Sequence, residues 1–573
     1  MKGLINPYFR PSKNFPLSSV KITCSTNLSL RPMKGLMMEY QLTLPTILRR
    51  AETLFGGKEI VSRLPDKSIH RYTYRDLATR AKKLSVALRH LGVRQGDRVA
   101  TLCWNHYQHL EAYFAIPCSG AIVHTLNVRL SADDLAYIVN HADDKVIIVD
   151  QGLLPLLEKF RSAINVSSII VIQQDKDPLP EGYLNYEDVL ASGDAAQFEP
   201  FEGDEYTAAC LCYTSGTTGK PKGVMYSHRS IMLHSISFMV SCSGVGVHER
   251  DVFLPVVPMF HACAWGFPFN CAFVGATQVL PGPHLDAESL LHLFESEKVT
   301  LTAGVPTVML SILNRLESNA NQYNLFLRQI VVGGSSAPRH LVKSFHERYG
   351  IQVLHAWGMT ELSPLGSTAV ITSQLENSSK EEQYDYSTKQ GLPVPFVEIR
   401  GRNESGFIPW DGKTMGELEV RGPWVASSYY RDTESNEKFT TDGWLKTGDM
   451  VTITPSGCIE IKDRSKDVIK SGGEWISSIA LENALMSHPC VLEAAVIAVP
   501  DSKWIERPFA YMSLKKGQTV SPDELREFLS DKFAKFWIPD GYAFVEAIPK
   551  TSVGKFQKSS LRDQYAREKG NEQ

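Results

Sequence analysis

Ala208-Ala-Cys-Leu-Cys-Tyr-Thr-Ser-Gly-Thr-Thr-Gly-Lys-Pro-Lys-Gly223 is the stretch on which the reading of this chain turns. An apolar strand, Ala208 to Leu211, runs into a segment dense in glycine, hydroxyl residues and lysine. Gly216, Gly219 and Gly223 leave backbone N–H groups bare. Together with the hydroxyls of Thr214, Ser215, Thr217 and Thr218, these can wrap phosphate oxygens. Lys220 and Lys222, on either side of Pro221, offset the charge of such an anion. The loop is not of the G-x-x-x-x-G-K-[ST] type, since the only Gly-Lys-Thr in the chain, Gly412 to Thr414, has Phe407 where the first glycine belongs.

Outward from this loop, helices and short apolar strands alternate. Thr73 and Asp76 fit a capping box, Leu77, Ala81, Leu84, Leu88 and Leu91 repeat at helical spacing, and Gly92 closes the helix. Val146 to Asp150 and Ile169 to Ile172 are continuous apolar runs of the kind buried on both faces of a parallel sheet. Near residue 390 the texture changes to short strands between Gly and Pro: Gly391–Pro395, Gly416–Pro423 and Gly457–Ile461 predict a small antiparallel or barrel-like element. After the charged run Lys462-Asp-Arg-Ser-Lys-Asp467 the α/β rhythm resumes, so a domain boundary is expected there. The predicted fold class is α/β, with a large N-terminal domain of two α/β sheet subdomains plus a small β-barrel and a smaller, mobile C-terminal α/β domain. A chain of 573 residues has the length for this division.

Composition narrows the function. Lys and Arg total 60 against 63 Asp and Glu, so nothing in bulk charge favours nucleic acid as a partner. No apolar run is long enough to span a membrane. Ten cysteines are scattered, without a C-x-x-C pair, and are expected as reduced core residues. Residues 1–38 carry Lys2, Arg10, Lys13, Lys21, Arg31 and Lys34 with no acidic residue before Glu39. That bias predicts a transit peptide for a mitochondrion or plastid. The alternative is a disordered extension ahead of a start at Met33, Met37 or Met38 in a cytoplasmic protein. Asn571-Glu572-Gln573 is not a peroxisomal signal.

The loop at Tyr213–Gly223 resembles the signature of the adenylate-forming superfamily of acyl-CoA synthetases, nonribosomal-peptide adenylation domains and luciferases. Further motifs of that family follow in order along nearly the whole chain after about residue 40, and the closest similarity is to medium- and long-chain fatty acyl-CoA ligases and methylthiopropionate-CoA ligases. The resemblance implies ATP and CoA as co-substrates, Mg²⁺ as cofactor and a carboxylic acid as the third substrate. Gly333-Gly-Ser-Ser-Ala-Pro338, including Gly334 and Ser335, corresponds to the turn that lines the adenine pocket. In His355-Ala-Trp-Gly-Met-Thr-Glu361, the resemblance implies that His355, Ala356, Trp357 and Gly358 border the nucleotide. Thr360 would lie by the α-phosphate, and Glu361 would meet Mg²⁺, with Thr214 as a second ligand. Asp449, in Lys446-Thr-Gly-Asp449, would hold the ribose hydroxyls, joined by Arg464.

Lys466 aligns with the family's hinge, which divides the chain into 39–463, a 464–467 hinge and 468–573. Lys555, in Pro549-Lys-Thr-Ser-Val-Gly-Lys555, resembles the catalytic lysine of adenylation, assisted by Thr218 and His261. Lys470-Ser-Gly-Gly-Glu-Trp475 is similar to the loop that forms the CoA tunnel after domain rotation, through Lys470, Gly472, Gly473 and Trp475. His261 and Trp265 would border the acyl pocket, one helical turn apart if the segment is helical. Phe260, Ala264, Phe267 and Val305 favour an apolar acid.

The expected reaction is formation of acyl-AMP and pyrophosphate, then of acyl-CoA and AMP, with a medium-chain fatty acid as substrate. Alternatives are a cinnamate- or benzoate-type acid, methylthiopropionate, a carrier-protein acceptor, a luciferase-type monooxygenase or a non-catalytic relative. The short sequence after Lys555 leaves no room for a carrier domain, and a homodimer is compatible with the reading.

Overall fold

A hairpin near the N-terminus, Glu59–Arg63 with Ile69–Thr73, is where the larger of two α/β sheets begins, although its parallel neighbour, Thr277–Leu280, lies far along the chain. The computed structural model describes residues 35–175, 178–214, 220–241, 246–318, 323–432, 437–471, 474–551 and 555–570. Met1–Tyr40 separates as one unit, whose described residues carry no helix or strand, and Gln41–Gln573 forms the other.

Within the second unit, nine strands make the first sheet. Their order is Leu392–Pro393, Leu365–Thr368, Gln352–Gly358, Gln329–Gly333, Leu301–Gly304, Val252–Pro255, Thr277–Leu280, Glu59–Arg63 and Ile69–Thr73. The middle six strands run parallel, and the edges are antiparallel. A seven-stranded sheet follows the order Tyr183–Asn185, Ser168–Ile172, Asp144–Asp150, Arg98–Leu102, Ile122–Thr125, Ala208–Tyr213 and Gly223–Ser227. The apolar runs expected to be buried on both faces, Val146–Asp150 and Ile169–Ile172, are buried throughout and pair in parallel. Only the last strand reverses, because the glycine-rich loop is too short to make the crossover that a parallel return requires.

Five antiparallel strands from Glu398 to Arg464 make the third sheet, in the order Gly406–Phe407, Glu398–Asn403, Gly416–Arg421, Leu445–Ile453 and Ile459–Arg464. Of the three segments expected there, Gly391–Pro395 departs. Its Leu392–Pro393 pairs with Leu365–Thr368 at the edge of the nine-stranded sheet, and only Gly391 touches Ile459. Proline lacks the N–H that a central strand needs, so an edge position suits Pro393.

The fourth sheet holds Glu474–Ile476, Ile469–Ser471, Ile505–Leu514, Val491–Asp501 and Gly541–Phe544 and builds the smaller C-terminal domain with its own apolar core. Among the described residues no helix is long and apolar enough to cross a membrane, and every described cysteine is free.

The helix Tyr74–His90 starts where the sequence places it. Thr73 Oγ1 accepts from the Asp76 backbone N–H, and the Asp76 carboxylate accepts from Thr73 N–H at 2.9 Å. Substitution Thr73→Ala removes that cap and is expected to lower stability by about 1 kcal/mol, read as a lower urea midpoint at unchanged slope.

Candidate active site

Carboxyl ends of parallel strands are where open α/β sheets leave a crevice, and here they deliver most of the residues singled out above. A cavity of about 530 Å³ lies between the large and small domains, lined among others by Thr214, Gly334, Ser335, Trp357, Glu361, Arg464 and Lys555. The strand Gln329–Gly333 leads into Gly334, at a φ of 85°. A Cβ at Gly333 would fall 2.8 Å from the Ala356 carbonyl and 3.0 Å from the Trp265 ring. Only a glycine leaves room there. His355, on the neighbouring strand, is buried, which lowers its pKa. Its ring sits between the carbonyls of Thr388, 2.9 Å from Nδ1, and Ser335, 3.2 Å from Nε2.

Asp449 is the meeting point of the polar end. Its Oδ2 accepts from Trp357 Nε1 at 3.0 Å, and its Oδ1 pairs with Arg464 Nε at 2.9 Å. Arg464 and Asp449 face each other because Leu445–Ile453 and Ile459–Arg464 pair antiparallel in that register. Thr360 and Glu361 follow the strand Gln352–Gly358. The Thr360 carbonyl accepts from the Tyr226 hydroxyl and Glu361 Oε1 from the Tyr429 hydroxyl, both at 2.6 Å.

Lys555 enters this end from the small domain. Burial is the main reason its pKa drops to about 8, with Arg464 lowering it further and Asp449 and Glu361 working in the opposite sense. A Cβ on Gly334 would lie 3.6 Å from Lys555 Cε.

The base of the glycine-rich loop is closed by Thr214. Its N–H donates to the Lys222 carbonyl at 2.9 Å, and its hydroxyl accepts from Lys222 N–H at 3.2 Å. Lys220 Nζ stands 4.8 Å from the Tyr137 ring, and Lys222 Nζ 3.2 Å from Asp432. Ser215, Gly216, Thr217, Thr218 and Gly219 lie outside the described residues, as do Gly472 and Gly473.

The other end of the cavity is apolar, with Phe238, Val256, Trp265, Val305 and Leu310 among its walls. His261 also lines it. Burial, aided by the nearby Lys555, brings its pKa to about 3, so the ring is neutral. The conditional helical spacing of His261 and Trp265 is corrected by the backbone: Ala262, Cys263, Ala264 and Trp265 all have positive φ, between 42° and 54°, before Gly266 at 79°. Such a left-handed turn costs an L-residue about 1–2 kcal/mol per position. Packing of Ala262, Cys263 and Ala264 in the interior holds it.

Lys466 lines the cavity as well, although its side chain is largely exposed, and partial desolvation lowers its pKa. Lys470 and Trp475 do not join the walls of the cavity. They face each other across the hairpin Ile469–Ile476, with Lys470 Nζ 5.6 Å from the Trp475 ring.

Several contributors escape sequence reasoning. Tyr226 and Tyr429 fix the Thr360–Glu361 turn, Arg129 lines the cavity, and Asn483 donates to Ser336 across the domains at 3.2 Å. No local pattern marks a lone tyrosine or arginine, so only the tertiary arrangement reveals them.

Known proteins resemble this chain in sequence and in fold. Residues 48–430 match the model of the AMP-binding enzyme family, and residues 480–555 that of the AMP-binding enzyme C-terminal domain. The chain belongs to the AMP-binding enzyme family. It is 49% identical to a long-chain-fatty-acid–CoA ligase of Thermus thermophilus, over 92% of this chain and 96% of the relative. Against a 3-methylmercaptopropionyl-CoA ligase of Ruegeria lacuscaerulensis the identity is 41%, with 93% and 99% covered. For a medium-chain-fatty-acid–CoA ligase of Ectopseudomonas oleovorans it is 39%, with 93% and 98% covered. Among solved structures, an anthranilate CoA ligase in complex with anthranoyl-AMP superposes with a TM-score of 0.81 at 27% identity, covering 91% of this chain and 97% of that one.

The tight fit at Gly333 is testable. Gly333→Ala is expected to displace the Trp265 ring and to cost about 1–3 kcal/mol by overpacking. Urea unfolding with a shifted tryptophan emission in the folded state checks both effects.

Proposed function

We propose that the protein is an acyl-CoA ligase that activates an apolar carboxylic acid as its adenylate and transfers the acyl group to coenzyme A. The observation that carries this reading is a half-buried lysine, Lys555, on the wall of one cavity that also presents Glu361 and the apolar Trp265 and Val305, with the carboxylates of Glu361 and Asp449 close enough to act on its charge. The CoA-ligase names of relatives 39–49% identical support it.

In the first step a carboxylate oxygen attacks the α-phosphorus of ATP, the bond to the bridging oxygen breaks, and pyrophosphate leaves. Lys555 donates to the oxygens on which charge builds. Such a preorganised donor is worth about 10²–10³ in rate. Asp449, with Arg464, receives the ribose hydroxyls, while Gly334, Ser335, His355, Ala356, Trp357 and Gly358 border the base. The loop from Thr214 to Lys222, Thr218 included, holds the phosphates, and Thr360 meets the α-phosphate. Glu361 is a hard oxygen donor on the cavity wall and, with Thr214, would hold Mg²⁺, which supplies further charge offset on the phosphates. His261, neutral, and Trp265 border the acyl group.

In the second step the CoA thiolate attacks the acyl carbonyl carbon and AMP leaves. The small domain turns at Lys466 within 464–467, bringing Lys470, Gly472, Gly473 and Trp475 to the cavity. That motion is supported by Lys470 and Trp475 lying away from the walls while Lys555 occupies them. The apolar walls at Phe238, Val256 and Leu310 favour a medium-chain fatty acid as the substrate, and the Ruegeria relative keeps methylthiopropionate as the alternative.

AMP release measured with and without CoA, over acids from butyrate to palmitate plus cinnamate and 3-methylmercaptopropionate, is expected to show CoA-dependent turnover with an apolar aliphatic acid. Acyl-AMP that accumulates unchanged in the presence of CoA would overturn the reading. Lys555→Ala is expected to slow adenylation by about 10²–10³-fold. Because the lysine's pKa is lowered to about 8, it is charged below that pH and neutral above. Thus kcat/KM for ATP should fall as pH rises through about 8, and Lys555→Arg, charged throughout, should flatten that limb.

The basic, acid-free stretch 1–38 supports an organelle address. A reporter fused behind it should be imported by mitochondria or plastids, and retention in the cytosol would refute this.

A further inference from the structure

The segment Val256–Phe260 leaves the central strand Val252–Pro255 of the nine-stranded sheet and forms one wall of the apolar end of the cavity, through Val256, Val257 and Pro258, just before His261. Its own sheet holds only the start of it, through Val256 and Val257 N–H groups that share the Ala303 carbonyl. The Pro258 carbonyl accepts from the His261 N–H at 3.1 Å, while the Val257 carbonyl and the Met259 N–H turn instead toward the seven-stranded sheet. There they meet Asn105, three residues past the strand Arg98–Leu102 and itself 1% exposed.

Asn105 Nδ2 donates to the carbonyls of Pro255 at 3.1 Å and Val257 at 2.9 Å, and its Oδ1 accepts from the Met259 N–H at 2.7 Å. The Tyr113 hydroxyl donates to the Met259 carbonyl. A single neutral amide therefore satisfies three backbone groups that alternate as acceptor, acceptor and donor. Only asparagine or glutamine carries two N–H donors and an acceptor on one planar group, and glutamine is a methylene too long for a pocket this closed. The Asn105 carbonyl accepts from Gly282 N–H at 2.8 Å, so its backbone is anchored as well.

We infer that Asn105 is a positioning residue for acid recognition: it hangs the wall Val256–Phe260 from the opposite subdomain and so sets the shape of the acyl pocket. Asn105 itself lines no part of the cavity and acts through the wall. The inference rests on the proposed acyl-CoA ligase reading and goes beyond it by assigning acid selectivity to a residue outside the pocket. Without the amide, two carbonyls and one N–H lose their partners in the interior. The wall then rearranges to recover hydrogen bonds, and Val256, Val257 and Pro258 move with it. The nucleotide end is fixed by other contacts, at Asp449 and Glu361, and is expected to keep its geometry.

The test uses the full-length protein and its Asn105→Ala, Asn105→Asp and Tyr113→Phe variants, assayed with saturated acids from butyrate to palmitate at fixed CoA. For Asn105→Ala the KM for the preferred acid is expected to rise about tenfold, with a flattened chain-length profile and less than about twofold change in KM for ATP. Asn105→Asp, which turns a carboxylate toward two carbonyls, should be affected at least as strongly. Tyr113→Phe, which removes one bond to the same wall, should shift the profile in the same direction by less and serves if the Asn105 variants do not fold. A chain-length profile superimposable on the wild type in a folded variant overturns the inference. Equal losses for acid and ATP overturn it too, since they report general damage. A wild-type protein that activates none of the acids instead refutes the ligase reading.

Discussion

One carboxylate ties the molecule together at its polar end. Asp449 is all but excluded from water, and a buried charge of that kind persists only when its oxygens are taken up by donors. Trp357 reaches it from the nine-stranded sheet and Arg464 from the adjacent antiparallel strand, so two layers are joined at one group. The small domain then adds Lys555 to the same place, and the opposing influences of Arg464 and Asp449 on that lysine show how closely the charges share the space. Each cation and anion in the cluster is tolerable because the others are present.

Local chemistry explains what the sequence made legible. The capping box at Thr73, the buried runs at Val146 and Ile169 and the strand that leads into the glycine-rich loop all depend on neighbours a few residues away, and all appear where expected. The motif residues Gly334, Ser335, Trp357, Glu361, Arg464 and Lys555 were readable one by one, and the fold brings them to one cavity.

What escaped was set at long range. The left-handed turn at Ala262–Trp265 has no glycine until Gly266 and no turn signature. It exists because the interior closes around it, and because Gly333, in a different strand, leaves space for the indole. Leu392–Pro393 went to the edge of another sheet for a comparable reason, the missing proline N–H. The tyrosines that brace Thr360 and Glu361 have the same invisibility: a hydroxyl's partner 134 residues away, as for Tyr226, or 68, as for Tyr429, leaves no trace in spacing. The five loop residues 215–219 belong to the readable part by composition, and their geometry lies outside what is described.

The hairpin Glu59–Thr73 finds its parallel neighbour only at Thr277–Leu280, and between them the chain lays down the whole seven-stranded sheet, from Arg98 to Ser227. The two sheets are nested in chain order. On a ribosome the inner sheet can complete itself while the N-terminal hairpin still lacks the strand it must join, and that hairpin exposes an unpaired edge for the interval. Contacts of such sequence separation form late and slowly. Synthesis from the N-terminus thus imposes an order in which the segment made first is among the last to be built into its sheet.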